Sequence, residues 1–180
     1  VRLWWMLRWL GHDAVAVLDG GLNAWEAAGH DLTDAETQHP HAVFTPRLRP
    51  DMVVDVHFVE SQPPRDGARI LDARNAQRFR GENETLDPVG GHIPGAVNRF
   101  FKDNLAPTGR FKPAEALQAE FRQLMGGRGA TEVIHSCGSG VTACHNLLAM
   151  EVAGLPGSRL YPGSWSEWCA DPSRPVATGS

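Results

Sequence analysis

Glu132-Val133-Ile134-His135-Ser136 followed by Cys137-Gly138-Ser139-Gly140-Val141-Thr142 is the stretch that decides the fold. The first five residues read as a short buried strand, and Val141, Cys144, Leu147, Leu148 and Val152 then recur at helical spacing. Cys137 therefore sits at a strand-to-helix turn. Its two glycines permit tight curvature, so that successive N–H groups and the positive helix end converge on one centre, an anion cradle. Such a cradle favours a thiolate. A free thiol, with a reference pKa of ~8.5, is only a few per cent ionised at neutral pH, whereas thiols at helix N-termini fall to roughly 3.5–7.5.

Working outward, Val53 to Ser61 reads as a helix, Arg69 to Asp72 as a strand, and Ala96 to Asn98 as another strand after a glycine-proline turn. Pro113 suits the first turn of a helix reaching about Met125, with Ala116, Leu117, Phe121, Leu124 and Met125 as its apolar stripe. This alternation predicts an α/β domain with a mainly parallel central sheet flanked by helices. Cys137 then lies at the carboxyl end of a strand, where open α/β sheets place their sites.

The 180 residues, 42% of them hydrophobic, suffice for one core of about 120–150 residues with some chain left over. No stretch approaches the roughly 18–20 apolar residues of a membrane span, since Arg2 and Arg8 break the Trp-rich opening. A net charge of −4 and the absence of a basic run argue against nucleic acid or an anionic membrane as partner. The three cysteines form neither a disulfide framework nor a Cys-x-x-Cys metal site, which favours a reducing compartment, and a cytoplasmic location is expected. The eight histidines are scattered without a ligand pattern. His92, His135 and His145 are expected to be structural, as are Cys144, Cys169, Trp165 and Trp168.

The loop, with Ala143-Cys144-His145 after it, resembles the active-site loop of the rhodanese superfamily, and Cys-Gly-Ser-Gly-Val-Thr is similar to the version in 3-mercaptopyruvate sulfurtransferases. Four further segments match two-domain sulfurtransferases in order: Ile70 to Arg74, Arg78-Phe79-Arg80-Gly81, Gly91-His92-Ile93-Pro94-Gly95-Ala96, and Gly163 to Trp168. The resemblance implies a persulfide enzyme without metal or organic cofactor. Cys137 is the nucleophile, taking a sulfane sulfur from a small anionic donor and yielding it to a thiol, such as a thioredoxin-like protein, or to cyanide. Ser139 assists proton movement as the product leaves. Arg78 grips the donor's acidic group, its fork suiting bidentate oxyanion binding. Gly138, Gly140, Val141 and Thr142 complete the substrate-binding loop, with Asp72 and Arg74 in support. Gly138 and Ser139 stand where thiosulfate-type enzymes carry Arg and Lys, which favours 3-mercaptopyruvate over thiosulfate. Against this, Glu82 to Gly90 lacks the second arginine of mercaptopyruvate enzymes and carries Glu82, Glu84 and Asp87 instead.

An internal repeat accounts for the opening residues. Gly11 pairs with Gly154, Gly20 with Gly163, Leu22 with Trp165 and Trp25 with Trp168, always 143 residues apart, 154 less 11 in the first pair. Both copies read as a helix end, a short strand (Ala14 to Leu18, Ser158 to Tyr161), a glycine turn and a Trp-bearing helix. Residues 1–33 are therefore expected to be the tail of a first, non-catalytic rhodanese-like domain, 34–50 a linker, and 51–175 the catalytic domain. The Trp-rich segment Leu3 to Leu10 is then expected to lack packing partners and to leave apolar surface exposed.

Two rivals remain. Cysteine phosphatases share the fold but need an arginine closing the loop, and six positions after Cys137 stands Ala143. Some rhodanese domains are binding modules without catalysis.

Overall fold

The computed structural model describes residues 1–179. In chain order the elements are α1 (Arg2–Trp9), α2 (Gly21–Ala27), α3 (Val56–Glu60), β1 (Arg69–Asp72), α4 (Ala76–Arg80), β2 (Val97–Asn98), α5 (Ala114–Met125), β3 (Val133–Ser136), α6 (Ala143–Val152), β4 (Arg159–Leu160) and α7 (Ser164–Ala170). The four strands form one sheet in the order β2-β1-β3-β4, every pair parallel. Ile70 lies beside Ile134, Leu71 beside His135, and His135 beside Leu160. All four residues of β3 are buried, as befits a parallel strand covered on both faces.

Alternation along the strands sorts the core. Ile70 and Ile134 face a cluster with Val59, Tyr161, Trp165 and Trp168. Leu71 and Val133 face the opposite one, with Leu117, Phe121 and Met150. Trp165 and Trp168 are thus core residues. His135 is wholly buried in this second layer with its Nε2 3.2 Å from Met150 Sδ, and burial pushes its pKa down to about 3. His92 Nδ1 donates to the Phe79 carbonyl at 2.8 Å, and its ring stacks on Phe79, fixing the turn before β2.

Three expectations need correction. The helix foreseen over Val53 to Ser61 begins only at Val56, because the Asp55 carboxylate caps it by accepting the Phe58 N–H at 2.8 Å. Val53 and Val54 run extended instead, the Val54 N–H bonding the Leu160 carbonyl at 2.9 Å beside β4. Ala14 to Leu18 is not a strand. Its side chains alternate, Val15 and Val17 packing inward, but among the described residues its backbone has no ladder partner.

Nor does the Trp-rich segment lack partners. In α1, Trp4 and Trp5 are buried in a cluster with Cys144, Leu147 and Leu160, because these neighbours share the face turned toward α6. Leu3 (67% exposed) and Met6, on the other face, carry the expected apolar exposure. Residues 34–50 hold no helix or strand before Pro50, and their end is tied to α1 by Arg47 N–H to Leu10 and Arg49 N–H to Trp9. Of the glycines paired at 143 residues, Gly11 (φ 83°) and Gly154 (φ 69°) are both left-handed, whereas Gly20 (φ 87°) and Gly163 (φ −63°) differ. No helix among the described residues is long and apolar enough to cross a membrane.

Candidate active site

The carboxyl ends of β1 and β3 lie side by side, and Ala73 N–H donates to the Ser136 carbonyl at 2.9 Å. Cys137 follows Ser136 directly. The start of α7 then pins the loop from beneath: Trp165 N–H donates to the Cys137 carbonyl at 3.0 Å, and Ser166 N–H to the Gly138 carbonyl at 2.9 Å. Ser164 Oγ accepts the Cys137 N–H at 3.1 Å and donates to the Tyr161 carbonyl at 2.8 Å. To do so Ser164 adopts φ 54°, the one left-handed non-glycine conformation among the described residues. This strain is roughly 1–2 kcal/mol, offset by the two bonds.

With its carbonyls engaged, the loop keeps its donors free. Among the described residues, no amide from Gly138 to Thr142 donates a hydrogen bond to another protein group. These amides, and the first turn of α6 behind them, are the fixed partial positive charges of the site. The Thr142 side chain, at the N-cap of α6, makes no capping bond.

A cavity of about 390 Å³ opens over the loop, lined by Cys137, Gly138, Ser139, Val141 and Thr142. Arg74 and Arg78 with Asp87, and Phe100 and Phe101 with Ser166, form its other walls. Cys137 is itself only 2% exposed. Gly140 stands apart from this cavity. Its φ of +72° and the 2.7 Å separating a built Cβ from the Pro162 carbonyl oxygen make it a backbone hinge pressed against the next strand's end. Asp72 also lies behind the wall, holding Arg74 through contacts of 2.7–3.1 Å. Arg74 donates as well to the Gly91 carbonyl at 2.7 Å and stacks over the Trp165 ring.

Arg78 departs from the expected free fork. Its Nε lies 2.9–3.0 Å from both Glu84 oxygens, and its Nη2 lies 2.9 Å from Asp87 Oδ2. Only Nη1 has no protein hydrogen-bond partner among the described residues, and it lies 3.8 Å from the Cβ position of Gly138. Arg78 therefore offers the cavity one nitrogen. The cause is the acidic loop that precedes the Gly91 turn, folded back onto α4. Burial opposes ionisation of Glu84, yet hydrogen bonds from Arg78 and from the Leu86 and Asp87 amides outweigh it and hold its carboxyl below the usual range. Asp87 is steadied in turn by the Ser166 hydroxyl at 2.6 Å.

The other thiols sit elsewhere. Cys144 Sγ donates to the Gly140 carbonyl at 3.3 Å, and burial pushes its thiol up to about 12. Burial likewise raises Cys169. Ala143, at the phosphatase arginine position, is buried at the start of α6. No group of three His, Cys, Asp or Glu side chains able to hold a metal occurs among the described residues.

A buried cysteine at the end of a central parallel strand thus shares one cavity with Arg78 and with loop residues whose amides have no protein partner. The model of the rhodanese-like domain matches residues 58–171. This chain belongs to the rhodanese-like family. A probable 3-mercaptopyruvate sulfurtransferase of Pseudomonas aeruginosa is 51% identical over 179 residues, 99% of this chain and 63% of that protein. A thiosulfate sulfurtransferase of Gallus gallus is 36% identical over 167 residues, 93% of this chain and 57% of that protein. Among solved structures, a 3-mercaptopyruvate sulfurtransferase from Leishmania major superposes with a TM-score of 0.77 at 33% identity, over 94% of this chain and 47% of the other. The chain thus spans less than two thirds of the length of the curated relatives it matches.

Within this rhodanese-like site, Glu84, Asp87, Ser164 and Ser166 carried no role in the sequence reading. For Ser164 and Ser166 the signal was their place in the Gly163 to Trp168 segment. For the acids the only hint was their density between α4 and Gly91.

Proposed function

We propose that this chain is the sulfur-transferring part of a rhodanese-like sulfurtransferase, with 3-mercaptopyruvate as donor. The observation that carries the reading is Cys137 lining a cavity together with four loop residues, Gly138, Ser139, Val141 and Thr142, whose amides are uncommitted, and with Arg78, whose Nη1 is uncommitted. In this reading the Cys137 thiolate attacks the donor sulfur, an S–S bond forms, and the donor's C–S bond breaks. The electron pair of that bond passes to the carbon side as an enolate, which takes a proton to become pyruvate. Ser139, exposed at the cavity, relays that proton, and the loop amides hold the developing oxyanion. An acceptor thiolate then attacks the outer sulfur and returns Cys137 as thiolate. No metal or organic cofactor enters either step.

The acceptor is a small thiol, a thioredoxin-like dithiol or cyanide. Arg78 Nη1 and Thr142 orient the donor carboxylate, while Asp72 acts at one remove by holding Arg74. The 143-residue sequence offset and the left-handed turns at Gly11 and Gly154 support reading residues 1–33 as the closing part of a first rhodanese-like unit, with 34–50 as a linker and 51–175 as the catalytic unit. A second donor, thiosulfate, is favoured by the likeness to the Gallus gallus enzyme.

Intact mass and peptide mapping after separate exposure to each donor test the reading. The expected result is one added sulfur on Cys137, removable by a thiol and absent in Cys137→Ser. No adduct with either donor refutes it and leaves a binding module.

A further inference from the structure

The two carboxylates on Arg78 are built into place. Glu84 and Asp87 have side chains only 5% and 8% exposed, Glu84 is fixed by two backbone amides, and Asp87 is fixed by Ser166 from α7. Retaining two buried charges carries a desolvation penalty, which their bonds to Arg78, to the loop amides and to Ser166 offset. Their consequence is electrostatic. The cations at the cavity are Arg74 and Arg78, and three carboxylates, Asp72, Glu84 and Asp87, contact them. Two positive charges against three negative leave the wall at −1.

We propose that Glu84 and Asp87 are specificity-determining residues that hold down the positive potential over Cys137, so that the site accepts a singly charged sulfur donor and discriminates against a doubly charged one. The inference rests on the sulfurtransferase reading for its substrates, although its electrostatic part stands on geometry alone. A monoanion's acidic head is satisfied by Arg78 Nη1 and the loop amides. A second negative charge on the donor meets only guanidiniums whose charge is already spent on carboxylates. For a charge on the order of 10 Å away in a medium of effective dielectric about 20, removing it changes the relative attraction of a dianion over a monoanion by roughly ten-fold.

The test compares Asp87→Asn and Glu84→Gln, which keep shape and a hydrogen-bonding oxygen, with Glu82→Gln. Glu82 belongs to the same loop but is exposed and paired with Arg80 away from the cavity. The first readout is alkylation of Cys137 by iodoacetate relative to iodoacetamide, which senses local potential without any turnover. The ratio is expected to rise about five- to ten-fold in Asp87→Asn and Glu84→Gln and to stay within about two-fold in Glu82→Gln. The second readout is kcat/KM for thiosulfate relative to 3-mercaptopyruvate, expected to rise about ten-fold in the same two variants. An alkylation ratio unmoved in both, or moved equally by Glu82→Gln, overturns the proposal. So does a raised alkylation ratio with an unmoved donor ratio. If the wild-type chain turns over neither donor while the alkylation ratio rises, the potential-setting role stands and the sulfurtransferase reading is what fails.

Discussion

Replacing Gly140 by alanine tests the claim that backbone shape positions Cys137. At φ +72° an L-residue is disfavoured by roughly 1–2 kcal/mol, of which up to about 1 kcal/mol is returned by the lower entropy of the unfolded chain. The new methyl would also lie 2.7 Å from the Pro162 carbonyl oxygen and 3.0 Å from its Cα, both backbone atoms that a rotamer change cannot move. Forcing that wall back adds about 1–3 kcal/mol. The sum is about 1–5 kcal/mol of lost stability, or a fall in Tm on the order of 10 °C at mid-range for a chain of this size. Gly138→Ala, two residues away, is the internal control. Its φ is not left-handed and its Cβ meets only Arg78 nitrogens at 3.8 Å, so its stability should change by less than about 0.5 kcal/mol. Urea unfolding, with a constant m-value as the check on two-state behaviour, reads both. Equal midpoints for the two variants would refute the reasoning. The same strain should displace Cys137, so its alkylation by iodoacetamide is expected to change in Gly140→Ala even below the unfolding transition.

Acidification should weaken the fold before the carboxylates titrate. Burial pushes His135 to about 3 and His145 to about 4, so the unfolded chain binds protons near pH 6.5 that the folded chain refuses. Stability is then complete above that pH and falls as the pH drops toward 4, by about 2 kcal/mol per unit near pH 5.5. His145→Gln should remove about half of that slope, and urea midpoints unchanged between pH 7 and 5 would contradict it. Asp72→Asn strips the buried Arg74 of its closest counter-charge, leaving the Gly91 carbonyl and Glu84 at 3.6 Å. A loss of about 3 kcal/mol or more is expected in the same unfolding assay, and a change under 1 kcal/mol would show that Arg74 is held by its other partners.

The parts of the site legible in the sequence are those set by local chain geometry. An apolar run, two glycines and a 3.6-residue period place Cys137 between β3 and α6 without reference to anything distant. The alternation of such units is enough to imply a parallel sheet, because a strand-helix-strand connection leaves few other arrangements. The start of the helix within Val53 to Ser61 is not legible by pattern, because valines at 53 and 54 suit a strand or a helix, and the Leu160 carbonyl and the Asp55 cap decide between them. Ala14 to Leu18 shows the converse: its alternation is strand-like, but a strand exists only where another backbone pairs with it.

What the sequence by itself determined is therefore the family, the layered α/β architecture and the strand-to-helix setting of Cys137, the proposed nucleophile. The tertiary structure alone decided the state of Arg78, the burial of Trp4 and Trp5 against α6, and the strained Ser164 bridge beneath Cys137. The physical reason is range. Backbone periodicity and turn chemistry act over a few neighbouring residues. The hydrogen bonds of a guanidinium depend on which carboxylates folding brings within about 3 Å: Glu84 and Asp87 are near Arg78 in sequence, but Glu84 is set by the fold of its loop and Asp87 by Ser166 of α7, about 80 residues further along the chain.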